Sequence, residues 1–167
     1  TMQGTLSQHL ALIGAGNDRQ AAGKVAENVG GRLNTAALSS AGLVIKAGTS
    51  TLAKTGAAAF YAIVGGRLVT IAAATDMPAL TGLNITAAYF NVACFFVDSA
   101  STVTVRFGTE AAAIAGVKFP DFPLGKALVG FLLITHSSAF TGGTTALDTA
   151  TTVYVSPLGA VDPTIIF

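Results

Sequence analysis

The chain has 167 residues, a length that fits a single domain with a sizeable core. Hydrophobic residues make up 51% of it and charged residues only 10%, against about 25% charged residues in ordinary soluble domains. The formal net charge is +1 and the basic residues are scattered, so the sequence lacks the basic patch that nucleic-acid binding requires.

A low charge content predicts either a membrane or a large protein interface. Two uncharged windows, Met77 to Val97 and Ala127 to Leu147, reach the length of about 20 residues that a spanning helix needs. The first contains Pro78 and the second contains Gly142 and Gly143, and both are rich in residues that favour strands. We therefore predict no membrane span and favour a protein interface.

Residues 1–54 are predicted to form an N-terminal arm that is extended and partly helical. Leu6, Leu10 and Ile13 have helical spacing, and a second, weaker helical pattern covers residues 18–29. Large apolar side chains are too few here for the segment to build its own core. We expect another subunit or partner protein to order this arm.

A glycine pair in the arm is similar to the start of a dinucleotide-binding loop. Gly14 and Gly16 follow a short apolar run, but the pattern needs a third glycine at position 19, which is occupied by Arg19. The acidic residue expected about 20 positions further on is also missing, because Glu27 comes too early. The two glycines are interpreted as the end of a short helix.

Residues 55–167 are predicted to form an antiparallel β domain with an extended C-terminal tail. It begins with a hairpin, because the apolar runs Ala58 to Val64 and Arg67 to Ala72 flank Gly65 and Gly66, two residues that readily adopt positive φ. A strand from Ala88 to Val97 follows. It carries apolar side chains on both faces, which predicts burial on both sides.

A turn and a half-buried strand come next. Asp98 to Ser101 has turn composition, and residues 102–107 alternate polar and apolar side chains, which places Val103, Val105 and Phe107 toward the core. A short helix is predicted over Glu110 to Val117.

The stretch Lys118 to Thr135 is predicted to contain a proline-rich entry, a turn at residues 123–125 and a central strand. A glycine loop at Gly142 and Gly143 and a last strand, Thr151 to Ser156, follow it. Short strands separated by turn signals indicate an all-β fold, a small antiparallel β-sandwich or a barrel-like domain. The apolar tail from Pro157 onward is expected to dock on a neighbour.

The sequence offers no constellation that indicates chemistry. His9 and His136 are the only histidines, and neither stands at a readable spacing from a nucleophile. Cys94 is the only cysteine and lies in an apolar run, which indicates a small core residue. Most acidic residues lie in turn-like contexts, among them Asp98, Asp121, Asp148 and Asp162. We predict no catalytic, cofactor-binding or metal-binding residue.

Four sequence blocks carry a resemblance to a known family. They are Phe60 to Thr70, Phe90 to Asp98, Phe119 to Thr135 and Phe140 to Asp148, in this order. Together they resemble a family of tailed-bacteriophage virion proteins, the head-decoration or head-fibre subunits, over about residues 57–160. The arm does not contribute to the resemblance, and the family implies no catalytic residues.

The resemblance implies a non-enzymatic structural protein of the virion, assembled in the host cytoplasm and placed on the capsid surface. The major capsid protein is then the expected partner. A homotrimer at a threefold or quasi-threefold position is expected, with the arm gripping the capsid and the β domain outward. Large apolar interfaces and closed symmetry are typical of such obligate assemblies. A head-fibre or tail component that mediates attachment, and an unrecognised enzyme, are the alternatives.

Overall fold

The computed structural model describes residues 34–159, together with positions 20, 22 and 23. Within residues 34–159 the chain forms eleven β-strands and one 3₁₀ turn. The strands are β1 (Ala36–Ala37), β2 (Val44–Ile45), β3 (Ala53–Lys54), β4 (Phe60–Val64), β5 (Arg67–Ile71), β6 (Asn84–Ile85), β7 (Phe90–Val97), β8 (Val103–Phe107), β9 (Ala127–Thr135), β10 (Phe140–Thr141) and β11 (Thr151–Val155). The prediction of an all-β, antiparallel fold is confirmed.

Two larger sheets enclose the main core. The first has the order β1-β4-β5 and the second the order β11-β9-β7-β8, and every pairing in them is antiparallel. Two short two-stranded sheets, β10-β6 and β2-β3, complete the domain. The buried residues of β4 and β5 share one cluster with one face of β7 and β9, so the two larger sheets face each other as in a sandwich.

The first hairpin has the turn that its sequence predicts. Gly65 and Gly66 have φ values of +58° and +78°, which a two-residue type I′ turn requires and which side chains with a Cβ rarely adopt. Residues Ala62 and Val69 of the hairpin are buried and point to the core. The hairpin therefore supplies one wall of the sandwich.

Strand β7 is buried on both faces, as its sequence predicts. Ala93, Phe95 and Val97 belong to the main core between the two sheets. Val92, Cys94 and Phe96 point the other way, into a second cluster. A strand of this kind cannot lie on the surface of the domain, so both of its faces need a cover.

Strand β9 is the central partner of β7 and changes its side-chain phase halfway along. Phe95 pairs with Gly130 and Phe96 pairs with Leu128, so Val129 is an extra residue, a β-bulge. In a regular strand Val129 and Phe131 would share a face, whereas here Val129 lies in the main core and Phe131 in the second cluster. The bulge thus lets one apolar run serve both clusters.

The second cluster is covered by the segment 117–122, which we call the cover segment. Its residues Phe119 and Phe122 make edge-to-face contacts with Phe131 and Phe96, with ring centroids 5.1 Å apart in both pairs. Such aromatic pairs contribute about 0.5–1.5 kcal/mol beyond the area that they bury. The proline-rich entry predicted before the central strand therefore acts as the outer wall of that cluster.

The helix predicted over Glu110 to Val117 is wrong except for a 3₁₀ turn at Ile114–Gly116. Ala111 exchanges two backbone hydrogen bonds with Phe90, of 2.8 and 3.0 Å. Thr109 is bridged in the same way to Lys118. These long-range bonds use the backbone groups that a helix would need, and they outweigh the local helix propensity.

The packed core begins earlier than the predicted domain boundary at residue 54. β1 pairs with β4, and Ala37, Ala41, Leu43 and Ala53 are all buried in the main core. Among the described residues, this core therefore includes side chains from Ala37 onward. Of the helices expected in the arm, the first lies outside the described residues and the second meets them only at positions 20, 22 and 23. The expected docking of the arm stays a prediction.

No helix within the described residues is long and apolar enough to cross a membrane.

Gly130 is required by close packing and gives a first prediction. A Cβ at this position would lie 2.5 Å from the Val155 carbonyl oxygen and 2.6 Å from Leu43 Cδ1. Gly130→Ala should lower the free energy of unfolding by about 1–3 kcal/mol, because over-packing shifts the backbone of β9 or β11. Gly48→Ala is the matched control, since a Cβ at residue 48 would have no neighbouring atom within 4 Å. Urea unfolding of both variants measures the difference, and equal stabilities would contradict this packing.

A second prediction concerns Glu110. Its carboxylate accepts hydrogen bonds from the backbone N–H and the hydroxyl of Thr86, each of 2.7 Å, and these bonds hold the pKa of Glu110 below its usual value. Because the pKa is lower in the folded than in the unfolded chain, the stabilisation is complete above the unfolded value of about 4.3. It is lost as the pH falls through the folded value.

Thermal unfolding between pH 7 and pH 2 measures this contribution. Glu110→Gln should be less stable than the unmodified chain at pH 7, and the difference should shrink as the pH falls below about 4. Thr86→Val removes one of the two hydrogen bonds and should give an intermediate result. A difference that is independent of pH would show that Glu110 does not act through its charge.

Candidate functional site

The titratable side chains of the described part are dispersed. Among residues 34–159, no group of three or more His, Cys, Asp and Glu side chains could hold a metal ion. Lys46 and Asp76 form an ion pair of 2.6 Å with side chains that are 44% and 45% exposed, and a partly exposed pair of this type contributes little. The acidic side chains of the described residues thus act singly rather than as a cluster.

Two of the predicted turn residues have that role in the structure. Asp98 Oδ1 accepts hydrogen bonds from the N–H groups of Ala100 and Thr102, at 2.9 and 3.0 Å. Asp148 Oδ2 accepts one from the N–H of Thr49 at 2.7 Å, which ties two loops together. Asp162 lies outside the described residues.

The side chains that chemistry would use are held in local structure. His136 Nδ1 lies 2.9 Å from the hydroxyl and 3.0 Å from the carbonyl oxygen of Ser138, within one turn. Cys94 is fully buried in the second cluster, and this burial raises the pKa of its thiol far above the usual value. The prediction that Cys94 is a core residue is confirmed, and His9 lies outside the described residues.

The candidate site is a surface rather than a pocket. In the β1-β4-β5 sheet, Ala37, Ala62 and Val69 point to the core, so the alternate residues point outward. We call this side the outer face. It consists of Ala36, Tyr61, Ile63, Leu68 and Thr70, with Leu38 and Leu158 beside it.

The outer face is uncharged and mostly apolar, with Thr70 as its hydroxyl-bearing strand partner of Tyr61. Leu68 is 66% exposed, and Leu38 and Leu158 are 53% and 58% exposed. Most proteins expose single apolar side chains, but apolar residues that are contiguous on one sheet face mark an interaction surface more often. The other strongly exposed leucine, Leu124 at 75%, lies apart from them in the turn before β9.

Both ends of the described chain meet at the edge of this sheet. Asn34 lies just before β1, and its carbonyl oxygen accepts a hydrogen bond from Gly66 at 3.0 Å. Gly159 exchanges two backbone hydrogen bonds with Ala37, of 2.8 and 3.2 Å. Asn34 and Gly159, the two ends of the described range, are therefore both held at this sheet.

The sequence contains a signal for the outer face that the prediction did not use. A hairpin with one solvated face should alternate apolar and polar residues, but Tyr61, Ile63 and Leu68 occupy outward positions. Their partners across the strands could be assigned only with the register, which the Gly65-Gly66 turn fixes.

No protein-family model, curated protein or solved structure matches the chain.

The burial of Cys94 gives a third prediction. The thiolate is the reactive form, and a buried thiol with a raised pKa is inert. A maleimide at neutral pH should leave the folded chain unlabelled and should label it once after denaturation, as measured by mass spectrometry. Leu124→Cys is the control and should gain one label in the folded state, because residue 124 is 75% exposed. Rapid labelling of Cys94 in the folded chain would contradict the packing of the second cluster.

Proposed function

We propose that the chain is a non-enzymatic structural protein of a bacteriophage virion, a decoration or cement protein that binds the outside of the head and stabilises the shell. The observation that carries the proposal is the hydrogen bonding of Asn34 and Thr35, which directly follow segment 1–33 in the chain, to the first hairpin. Asn34, where this segment joins the domain, is hydrogen-bonded to the turn of the first hairpin. Thr35 Oγ1 accepts a second bond from Gly65 at 3.2 Å.

This geometry suits a cement protein because such a protein must transmit load from its anchor to its body. The chain leaves segment 1–33 and enters a sheet strand within three residues, at β1. A force on the arm is therefore resisted by sheet hydrogen bonds. In this proposal the arm grips the major capsid protein, and the β domain lies outward.

The composition supports the same role. Only 10% of the residues are charged, and an obligate interface is more apolar than a free surface. The four blocks that resemble the virion family form the hairpin, β7, the cover segment with β9, and the loop after β10. The proposed assembly is a homotrimer on a threefold or quasi-threefold position of the shell, because closed rings are the usual outcome of such contacts.

A binding experiment with the full chain tests this function. Purified protein is mixed with empty heads of the phage that encodes it, prepared without the protein, and bound copies are counted after sedimentation. We expect saturable binding and a higher temperature of shell disruption. Leu10→Asp, on the apolar side of the predicted arm helix, should weaken binding at least about tenfold, which corresponds to about 1.4 kcal/mol.

Leu124→Asp is the matched control, since it places the same charge on an exposed turn of the β domain and should bind as the unmodified chain does. If the folded chain remains in the supernatant when the heads are sedimented, the proposal is overturned. Binding to purified tails instead of heads would favour the alternative, a tail or fibre component.

A further inference from the structure

The outer face of the β1-β4-β5 sheet needs an occupant that matches its size and chemistry. Leu68 and Tyr61 are 66% and 42% exposed on it, and no outward position of this face carries a charge. With strands about 4.8 Å apart and about 3.3 Å per residue, the two five-residue strands and the two-residue β1 present at most roughly 15 Å by 17 Å. This area is far below the roughly 800 Å² per partner of a stable protein interface.

A single extended segment fits that area better than a second folded domain. An eight-residue segment is about 26 Å long when extended, and its side chains cover a strip about 10 Å wide. Residues 160–167, Ala-Val-Asp-Pro-Thr-Ile-Ile-Phe, have this length. Five of the eight are apolar, and the last three are Ile165, Ile166 and Phe167.

The segment also starts in the right place. Gly159 is bonded to Ala37 at the β1 edge of the sheet and has a φ of +83°. From there β5 is three strand spacings away, about 14 Å, which is well within the reach of eight residues. Asp162 and Pro163 form a turn signal that allows the chain to change direction toward the sheet.

We infer that residues 160–167 fold back over the outer face of their own chain and pack Ile165, Ile166 and Phe167 against Tyr61, Ile63 and Leu68. Attachment through Gly159 gives the segment an effective concentration of about millimolar at this face, so its own chain outcompetes other copies. The contact is distinct from the proposed grip of segment 1–33 on a capsid. It needs neither a capsid nor a second subunit.

Tryptophan fluorescence tests the inference, because the chain contains no tryptophan. In the full chain, Phe167→Trp should show emission at shorter wavelengths than a free tryptophan and weak quenching by acrylamide. Adding Leu68→Asp should shift the emission to longer wavelengths and increase the quenching severalfold. Leu124→Asp is the matched control and should leave both readouts unchanged, because Leu124 lies in the turn before β9, a strand of the other sheet.

Dilution distinguishes docking on the same chain from docking on another copy of the chain. Emission that is independent of protein concentration supports docking on the same chain. Emission that shifts to longer wavelengths on dilution overturns the inference, because the occupant would then be another copy. A solvent-exposed tryptophan at every concentration also overturns it. Far-UV circular dichroism confirms that each variant is folded, and Ile63→Asp serves as the second face variant if Leu68→Asp is not.

Discussion

The pairing of β7 with β9 is the constraint on which the rest of the domain depends. Both strands lie in the middle of the four-stranded sheet, and nearly every side chain in them is buried. Fully burying one large apolar side chain contributes about 1.5–3 kcal/mol, so leaving either face in water would be costly. The chain therefore has to place a cover on each side. The first hairpin and β1 cover one face, and the cover segment covers the other.

The two covers differ because the two faces differ in extent. The main core receives a whole sheet, with Phe60, Val64 and Ile71 facing β7 and β9. The second cluster is smaller and is closed by an irregular segment with two phenylalanines. Prolines suit this segment, since they fix its backbone without requiring ladder hydrogen bonds. The bulge at Val129 then distributes the side chains of β9 between the two clusters.

The sequence predicted the parts of this fold that local chemistry determines. Gly65 and Gly66 specify a turn by their φ values, and the two apolar faces of β7 can be read directly from Ala93 to Val97. The bulge in β9 could not be predicted, because in a continuous apolar run no residue type shows where the alternation of side chains between the two faces shifts. β1 was missed because two alanines carry almost no pattern. Its pairing depends on β4, more than twenty residues further on.

For the candidate surface too, some features follow from the local sequence and others depend on residues far apart in the chain. That Tyr61, Ile63 and Leu68 are apolar is plain from the sequence, but only the strand register places them together on the outward side. The position of Gly159 beside Ala37 depends on the whole path of the chain, since it joins residues 122 positions apart. No local pattern contains that contact.

Residues 34–53 link the two sheets, and this link affects how the proposed anchor carries a load. They contribute β1 to one sheet, and a few residues later the N–H of Leu43 donates to Ser156 Oγ at 3.0 Å, beside β11 of the other sheet. Leu43 also packs closely over Gly130 in β9. A load that enters at Asn34 is therefore shared between both sheets within ten residues. Because both sheets share the load, a domain anchored in this way resists a pulling force as one unit. A protein that reinforces a shell from outside requires this property.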